Sequence, residues 1–267
     1  MYICVLDIET TGLSLARDTI TVIGTIVYDV DTDTIFSKKC FNVVCAEESE
    51  SGVELQKIKN ELIEMFDLCT HIVAFNGIGF DIPFIVKWLK NVKLSTKKEK
   101  EMNLEVCDSA TTPELIDHCT RWNDKHVDFC RMSLELTGKY ISLQNICTIN
   151  NIEIEKSSTG LQAVHWAKER KWKELEEYCM QDVLVLLSLT QCAVKNGLKF
   201  SIRNSKCHKP SPENLYHVYL DESMKPVSKK VKKYHEIDTS KKPEQVNSLP
   251  TKAVHSNLFK FDLTALN

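Results

Sequence analysis

The sequence predicts an α/β fold, a mixed five-stranded sheet flanked by helices. Three observations lead there. Strand-like and helix-like runs alternate as far as about Lys195, in the order strand, hairpin, helix, strand, helix. The first run, Tyr2-Ile3-Cys4-Val5-Leu6, is apolar on both faces, which suits a strand in the middle of a sheet. The second and third runs are separated only by the turn cluster Asp29 to Asp33, so they pair as a hairpin.

The first strand ends at Glu9, and Thr10 to Asp18 is a loop that turns at Gly12. Ile20 to Tyr28 is rich in β-branched residues and reads as a strand, and Thr34 to Val44 resumes the strand pattern. Leu55, Ile58, Leu62, Met65 and Phe66 recur at helical spacing and place a helix over Val53 to Phe66. His71 to Phe75 is a short apolar strand, and Pro83 suits the first turn of a helix that runs on to Leu89. Residues 93–106, rich in Lys and Glu, read as a surface loop or insertion. A fifth strand is expected at His126 to Phe129, with helices over 113–122, Ser142 to Asn150, Leu161 to Ala167 and Trp172 to Lys195. Beyond Gly197 five prolines interrupt the pattern. The expectation is therefore one domain over residues 1–200 and a basic, largely irregular tail over 201–267, in which Leu258-Phe259-Lys260-Phe261 reads as a segment able to dock.

Composition narrows the class. Hydrophobic residues make up 43% and charged residues 27%, ordinary for a globular protein. No apolar run of about 18 residues marks a membrane span, and the opening residues lack the basic and apolar regions of a signal peptide. Eleven cysteines without a CxxC pair fit free thiols in a reducing compartment, cytoplasm or nucleus, rather than a disulfide framework or a zinc site. The net charge of −3 divides unevenly, with 12 Lys and Arg against 7 Asp and Glu in residues 201–267 and 22 against 30 in the rest. An acidic body with a basic tail suits a protein that handles an anionic polymer through metal ions; a merely solvated tail accounts for the charges equally well.

The chemistry-bearing residues are acids in places that cost energy. Asp7 and Glu9 close the first strand and, with side chains alternating, point to the same face. Two carboxylates so close repel each other and lose water, which calls for a cation or a helix N-terminus. On the long last helix Leu175 and Leu189 lie about 20° from Asp182 around the axis, so Asp182 sits in the stripe that faces the sheet. Tyr178, four residues earlier, shares nearly the same face. Three of the acids have a plainer reading. Asp182 suits a core ion pair with Lys or Arg, Asp81 before Ile82-Pro83 suits a helix N-cap, and Glu9 suits a cap for the Thr10 to Leu13 turn. Four acids at strand ends or on a core-facing stripe are harder to explain one by one.

Taken together, these residues resemble a known family. Asp7-Ile8-Glu9-Thr10-Thr11-Gly12-Leu13 resembles the first motif of the DnaQ-like 3′–5′ exonucleases, which have an RNase H-like fold. Asn76-Gly77-Ile78-Gly79-Phe80-Asp81 resembles the second motif and Tyr178-Cys179-Met180-Gln181-Asp182 the third, its Tyr marking the DEDDy branch. The match covers roughly residues 1–195, and the Val127-Asp128-Phe129, Ser142-Leu143-Gln144 and Gly160-Leu161-Gln162 segments are similar to the DNA polymerase B-like exonuclease subgroup. The resemblance implies hydrolysis of phosphodiesters with two Mg²⁺ or Mn²⁺ ions. Asp7 would bridge both metals, Glu9 and Asp182 would ligate the ion that activates water, and Asp81 would serve the second ion through its water shell. Tyr178 would orient the attacking water, a plain core tyrosine being the other reading. Thr10, Leu13, Asn76 and Phe80 would touch the substrate, with core packing an equal reading for Phe80.

The function expected from these readings is removal of nucleotides from a single-stranded 3′ end, of DNA rather than RNA, in repair or replication and with a polymerase or replication protein as partner. An exoribonuclease of the same fold and a non-catalytic polymerase accessory or nucleic-acid-binding module are the alternatives; a decayed nuclease usually lacks one of the acids. Lys97, Lys98 and Lys100 suit phosphate contacts or, beside Glu99 and Glu101, a solvated loop. The Lys229 to Lys233 cluster suits nucleic-acid binding or a nuclear import signal.

Overall fold

The structure, a computed structural model, describes residues 1–49, 52–90, 122, 124–153, 160–201, 215–220 and 224–230. The main sheet has strand order β3-β2-β1-β4-β5, where β1 is Tyr2–Thr10, β2 Ile20–Asp29, β3 Thr34–Asn42, β4 His71–Ala74 and β5 His126–Asp128. β1 pairs antiparallel with β2 and parallel with β4, and β4 runs parallel to β5, so the sheet is mixed with β1 at its centre. Helices α1 (Val43–Glu47), α2 (Val53–Leu68), α3 (Asp81–Leu89), α4 (Phe129–Thr137), α5 (Leu143–Ile149), α6 (Gly160–Glu169) and α7 (Trp172–Lys195) flank it. None of the described helices is long and apolar enough to cross a membrane.

The alternation of β1 divides the core in two. Ile3 and Val5 pack on α7 residues Val183, Leu186 and Leu189, whereas Cys4, Leu6 and Ile8 pack on Ile58, Leu62 and Phe66 of α2 and on Ile82 and Ile85 of α3. Asp7 and Glu9 continue the odd-numbered face, so they are aimed at α7. Gly24 pairs with Asp7 across the β1–β2 ladder. A Cβ there would meet Cys179 Sγ and Val183 Cγ2 at 2.9 Å, so the glycine lets α7 lie close over the strand that carries Asp7.

Three features depart from the sequence reading. The expected strand to Val44 stops at Asn42, whose side chain accepts from the Cys45 amide and starts α1. α4 follows β5 without a break because Asp128 is its N-cap, accepting from the Cys130 and Arg131 amides. Beyond Gly197, where little regular structure is expected, β6 (Leu198–Ser201), β7 (Leu215–Leu220) and β8 (Pro226–Lys230) form a second, antiparallel sheet in the order β6-β7-β8. It forms because its apolar residues have a place to go: Leu198, Phe200, Leu220 and Met224 join the α7 core. Pro226 is tolerated as the first residue of an edge strand, where a missing N–H costs little. The loop at 93–106 with Lys97, Lys98 and Lys100, most of the 113–122 helix, residues 231–233 of the basic cluster and Leu258 to Phe261 lie outside the described residues.

Candidate active site

β1 runs past β4. Its parallel ladder with β4 covers only Ile3, Cys4 and Val5, which leaves the end of the strand open on that side. There the Ile8 amide donates to the Asp81 carboxylate at 3.2 Å. Asp81 is only 3% exposed and opens α3, but Phe80 holds the N-cap position and makes no side-chain cap bond. The capping reading of Asp81 therefore gives way to a link between α3 and β1, in which a strand amide finds its partner in a carboxylate rather than a neighbouring strand.

From the other side, α7 brings Asp182. Asp7, Glu9 and Asp182 each offer an oxygen, and these oxygens lie within 4.8 Å of one another. No Lys or Arg among the described residues pairs with Asp182; its hydrogen-bond partner is the Tyr178 hydroxyl. Glu9 does not close the following turn. Thr10 Oγ1 donates to the Gly12 carbonyl at 2.6 Å, and the Asp18 carboxylate accepts from the Ser14 amide at 2.7 Å, directly where a Cβ on Gly12 would stand.

The four acids share one cavity of about 510 Å³, lined also by Ile8, Leu13, Phe75, Asn76, Phe80, Cys130 and Tyr140. Burial, then mutual repulsion, raises their pKa values. Asp7 is pushed well above the carboxylate range by desolvation, then by Asp81, Glu9 and Asp182. Desolvation followed by Asp182 and Asp81 carries Glu9 to about 8. Desolvation alone raises Asp182 to about 6 against the Tyr178 hydrogen bond. Asp81 reaches about 7 by desolvation, although its own amide and that of Ile8 pull it down. The Tyr178 hydroxyl is raised by burial, then by Asp182 and Glu9, and keeps its proton. An all-oxygen cluster that the protein can ionise only at a cost fits a hard divalent cation, which returns the lost interaction. Asp7, Glu9 and Asp182 meet that requirement as a trio, and Asp81 lines the same cavity and repels Asp7.

The remaining predicted residues divide. Leu13, Asn76 and Phe80 line the cavity, Phe80 also packing on Phe84 with ring centroids 4.8 Å apart. Thr10 is buried and serves the turn. Tyr178 stands beside Asp182, its ring 6.0 Å from that of Trp166. Two contributors escape the sequence reading. Asp128 is 5% exposed, and besides capping α4 it accepts from the Asn76 amide at 2.9 Å and the Ile78 amide at 3.2 Å, fixing the turn before Asp81. Asn76 takes φ 64°, a left-handed conformation that asparagine tolerates. Tyr140 lines the cavity from the link between α4 and α5. The Val127-Asp128-Phe129 run was a signal for the first; nothing marked the second, because α4 itself was not recognised.

Residues 4–194 match the family model of the RNase_H superfamily. No curated protein matches the chain. Among solved structures, exonuclease I of E. coli in complex with a dT13 oligonucleotide is similar at 12% identity and a TM-score of 0.39, over 72% of this chain and 40% of that one. A moderately thermophilic exonuclease I from Methylocaldum szegediense is similar at 12% identity and a TM-score of 0.35, over 82% of this chain and 51% of that one. The chain thus spans about two-fifths to half the length of these proteins.

Proposed function

This chain belongs to the RNase_H superfamily, and we propose that within it the protein is a metal-dependent 3′–5′ exonuclease of the DEDDy branch, acting on single-stranded 3′ ends, of DNA in preference to RNA. The observation that carries the reading is the meeting of Asp7, Glu9 and Asp182 within 4.8 Å, on a cavity that Asp81 completes. Three segments far apart in sequence supply these acids, and each belongs to a motif of the exonuclease pattern.

Two divalent cations, Mg²⁺ or Mn²⁺, when bound supply charge stabilisation for the attacking and leaving oxygens of an in-line displacement. Asp7 would be the central holder, since all three other acids repel it. Glu9 and Asp182 would hold an ion together with it, and Asp81, on the same cavity, would serve a second. Tyr178 stays protonated and acts by orientation: its hydroxyl hydrogen-bonds Asp182 and can fix the attacking water, with no need to accept a proton. The water oxygen gives up a proton to solvent and forms a bond to phosphorus, the bond from phosphorus to the 3′ oxygen breaks, and that oxygen takes a proton from solvent. Leu13, Asn76 and Phe80 give the cavity an uncharged wall opposite in character to the acids, which suits a nucleotide, anionic at one end and flat and apolar at the other.

The test is a digestion panel with 3′-labelled and 5′-labelled single strands of DNA and RNA of one sequence, in Mg²⁺, Mn²⁺ and EDTA. Expected are mononucleotide release from the 3′ label, a descending ladder from the 5′ label, faster loss of DNA, and no reaction in EDTA. Cleavage that persists in EDTA, or release that starts from the 5′ end, overturns the proposal.

A further inference from the structure

We propose that Tyr140 is a nucleobase-stacking residue, whose ring lies against a base of the single-stranded 3′ end while the adjoining phosphodiester sits at the acids. The inference deepens the nuclease reading and rests on it. Tyr140 lines the acidic cavity yet is 68% exposed, and Leu13, which also lines it, is 85% exposed. Asp81 is buried and the other three acids are half-buried. The acids therefore lie deep, and the two large apolar side chains stand at the rim.

An exposed aromatic on a loose loop would mean little, but this one is held from both sides. Gly138, at φ 71°, ends α4 and turns the chain back. Thr137 Oγ1 donates to the Lys139 carbonyl at 3.0 Å and accepts from the Lys139 amide at 3.3 Å. On the other side Ile141 is 7% exposed, its amide donating at 3.0 Å to Ser133 Oγ, which is fully buried and donates to the Cys130 carbonyl at 2.7 Å. Ser142 then caps α5 through the Asn145 amide. Both neighbours of Tyr140 are thus fixed, while its ring packs on no other ring among the described residues. A rigid backbone that presents an uncovered aromatic face beside a site for divalent cations matches what single-stranded nucleic acids bind: positive charge for the backbone, which the cations rather than the acids would supply, and a π-face for the base.

The experiment is fluorescence-anisotropy titration of the full chain with a labelled single-stranded oligonucleotide in Ca²⁺, using the intact strand and one whose two 3′-terminal residues are abasic. Base–aromatic stacking is worth roughly 5- to 150-fold in affinity. Tyr140→Ala is expected to raise Kd for the intact strand by about tenfold, and Tyr140→Phe, which keeps the ring, to restore it. The abasic end is expected to weaken wild-type binding by a similar factor and to erase the difference between wild type and Tyr140→Ala. Equal Kd values for wild type and Tyr140→Ala on the intact strand, an alanine penalty that survives on the abasic strand, or no binding at all overturns the assignment. Digestion of the same strand in Mg²⁺ keeps the two ideas apart. Cleavage with a Tyr140-independent Kd sinks the stacking role alone; a Tyr140-dependent Kd without cleavage sinks the nuclease reading alone.

Discussion

Asp182→Asn should stabilise the metal-free protein at pH 8 and cost it its response to Mg²⁺. A carboxyl group whose folded pKa lies above its unfolded value holds its proton more tightly in the folded chain. Its favourable contribution is complete below the unfolded value and is lost as the pH rises through the folded one. For Asp182 the window runs from 3.8 to about 6. At 1.36 kcal/mol per unit the ionised side chain costs the folded protein about 3 kcal/mol above that window, an upper bound because the group is half-buried and solvent screens part of the effect. The isosteric amide removes the charge and leaves the Tyr178 hydroxyl a partner. For a chain of this size that upper bound corresponds to a rise in Tm of at most roughly 6–12 °C. Thermal melts of EDTA-treated wild type and variant at pH 8 and pH 4.5 give the comparison, with the variant ahead at pH 8 and the gap narrowed to about a third at pH 4.5. His126, which burial lowers to about 4, destabilises both proteins alike as the pH falls and so cancels from the difference. Adding Mg²⁺ at pH 8 should raise the wild-type Tm and leave the variant nearly unmoved. A variant less stable than wild type at pH 8 would show that Asp182 is a favourable core acid, and the reasoning from desolvation would fail.

Other perturbations have distinct readouts. Tyr178→Phe should lower the rate of hydrolysis by at most about 10²- to 10³-fold, the usual cost of one lost hydrogen-bond donor, in single-turnover assays where Asp7→Ala has no measurable rate. Asp128→Ala strips the Asn76, Ile78, Cys130 and Arg131 amides of their acceptor. Its expected cost in denaturant unfolding is about 3 kcal/mol, together with slower hydrolysis because the turn before Asp81 loosens. A chain ending after residue 200 loses Leu220 and Met224 from the α7 core, at roughly 3–5 kcal/mol, whereas one ending after 230 keeps them and should melt at a higher temperature than the shorter chain.

Much of this was legible because period and burial agree. β1 reads as a central strand from five apolar residues in a row, and its last acids fall on the face that Ile3 and Val5 define. α7 reads from the stripe that holds Leu175 and Leu189, which carries Asp182 to the sheet. What was missed lacks a local signal. α4 starts on the residue that ends β5, so Asp128 was spent on the strand when it was also the cap. The second sheet depends on a distant partner, the α7 core, and its edge strand opens with a proline that locally argues against a strand. Asp81 looked like a cap because its neighbours in sequence suggest one; its real partner, the Ile8 amide, is 73 residues away. Tyr140 is legible only once α4 and α5 are in place to hold the link between them.

The most direct test of the central claim, that these separated acids form one site for divalent ions, is a Mn²⁺ titration followed by the EPR signal of the free ion. Wild type should remove up to two Mn²⁺ per chain from solution, and Asp7→Asn, at the centre of the cluster, should remove almost none while remaining folded by circular dichroism. A wild-type protein that leaves the free Mn²⁺ signal unchanged, or an Asp7→Asn variant that binds as wild type does, would contradict the account.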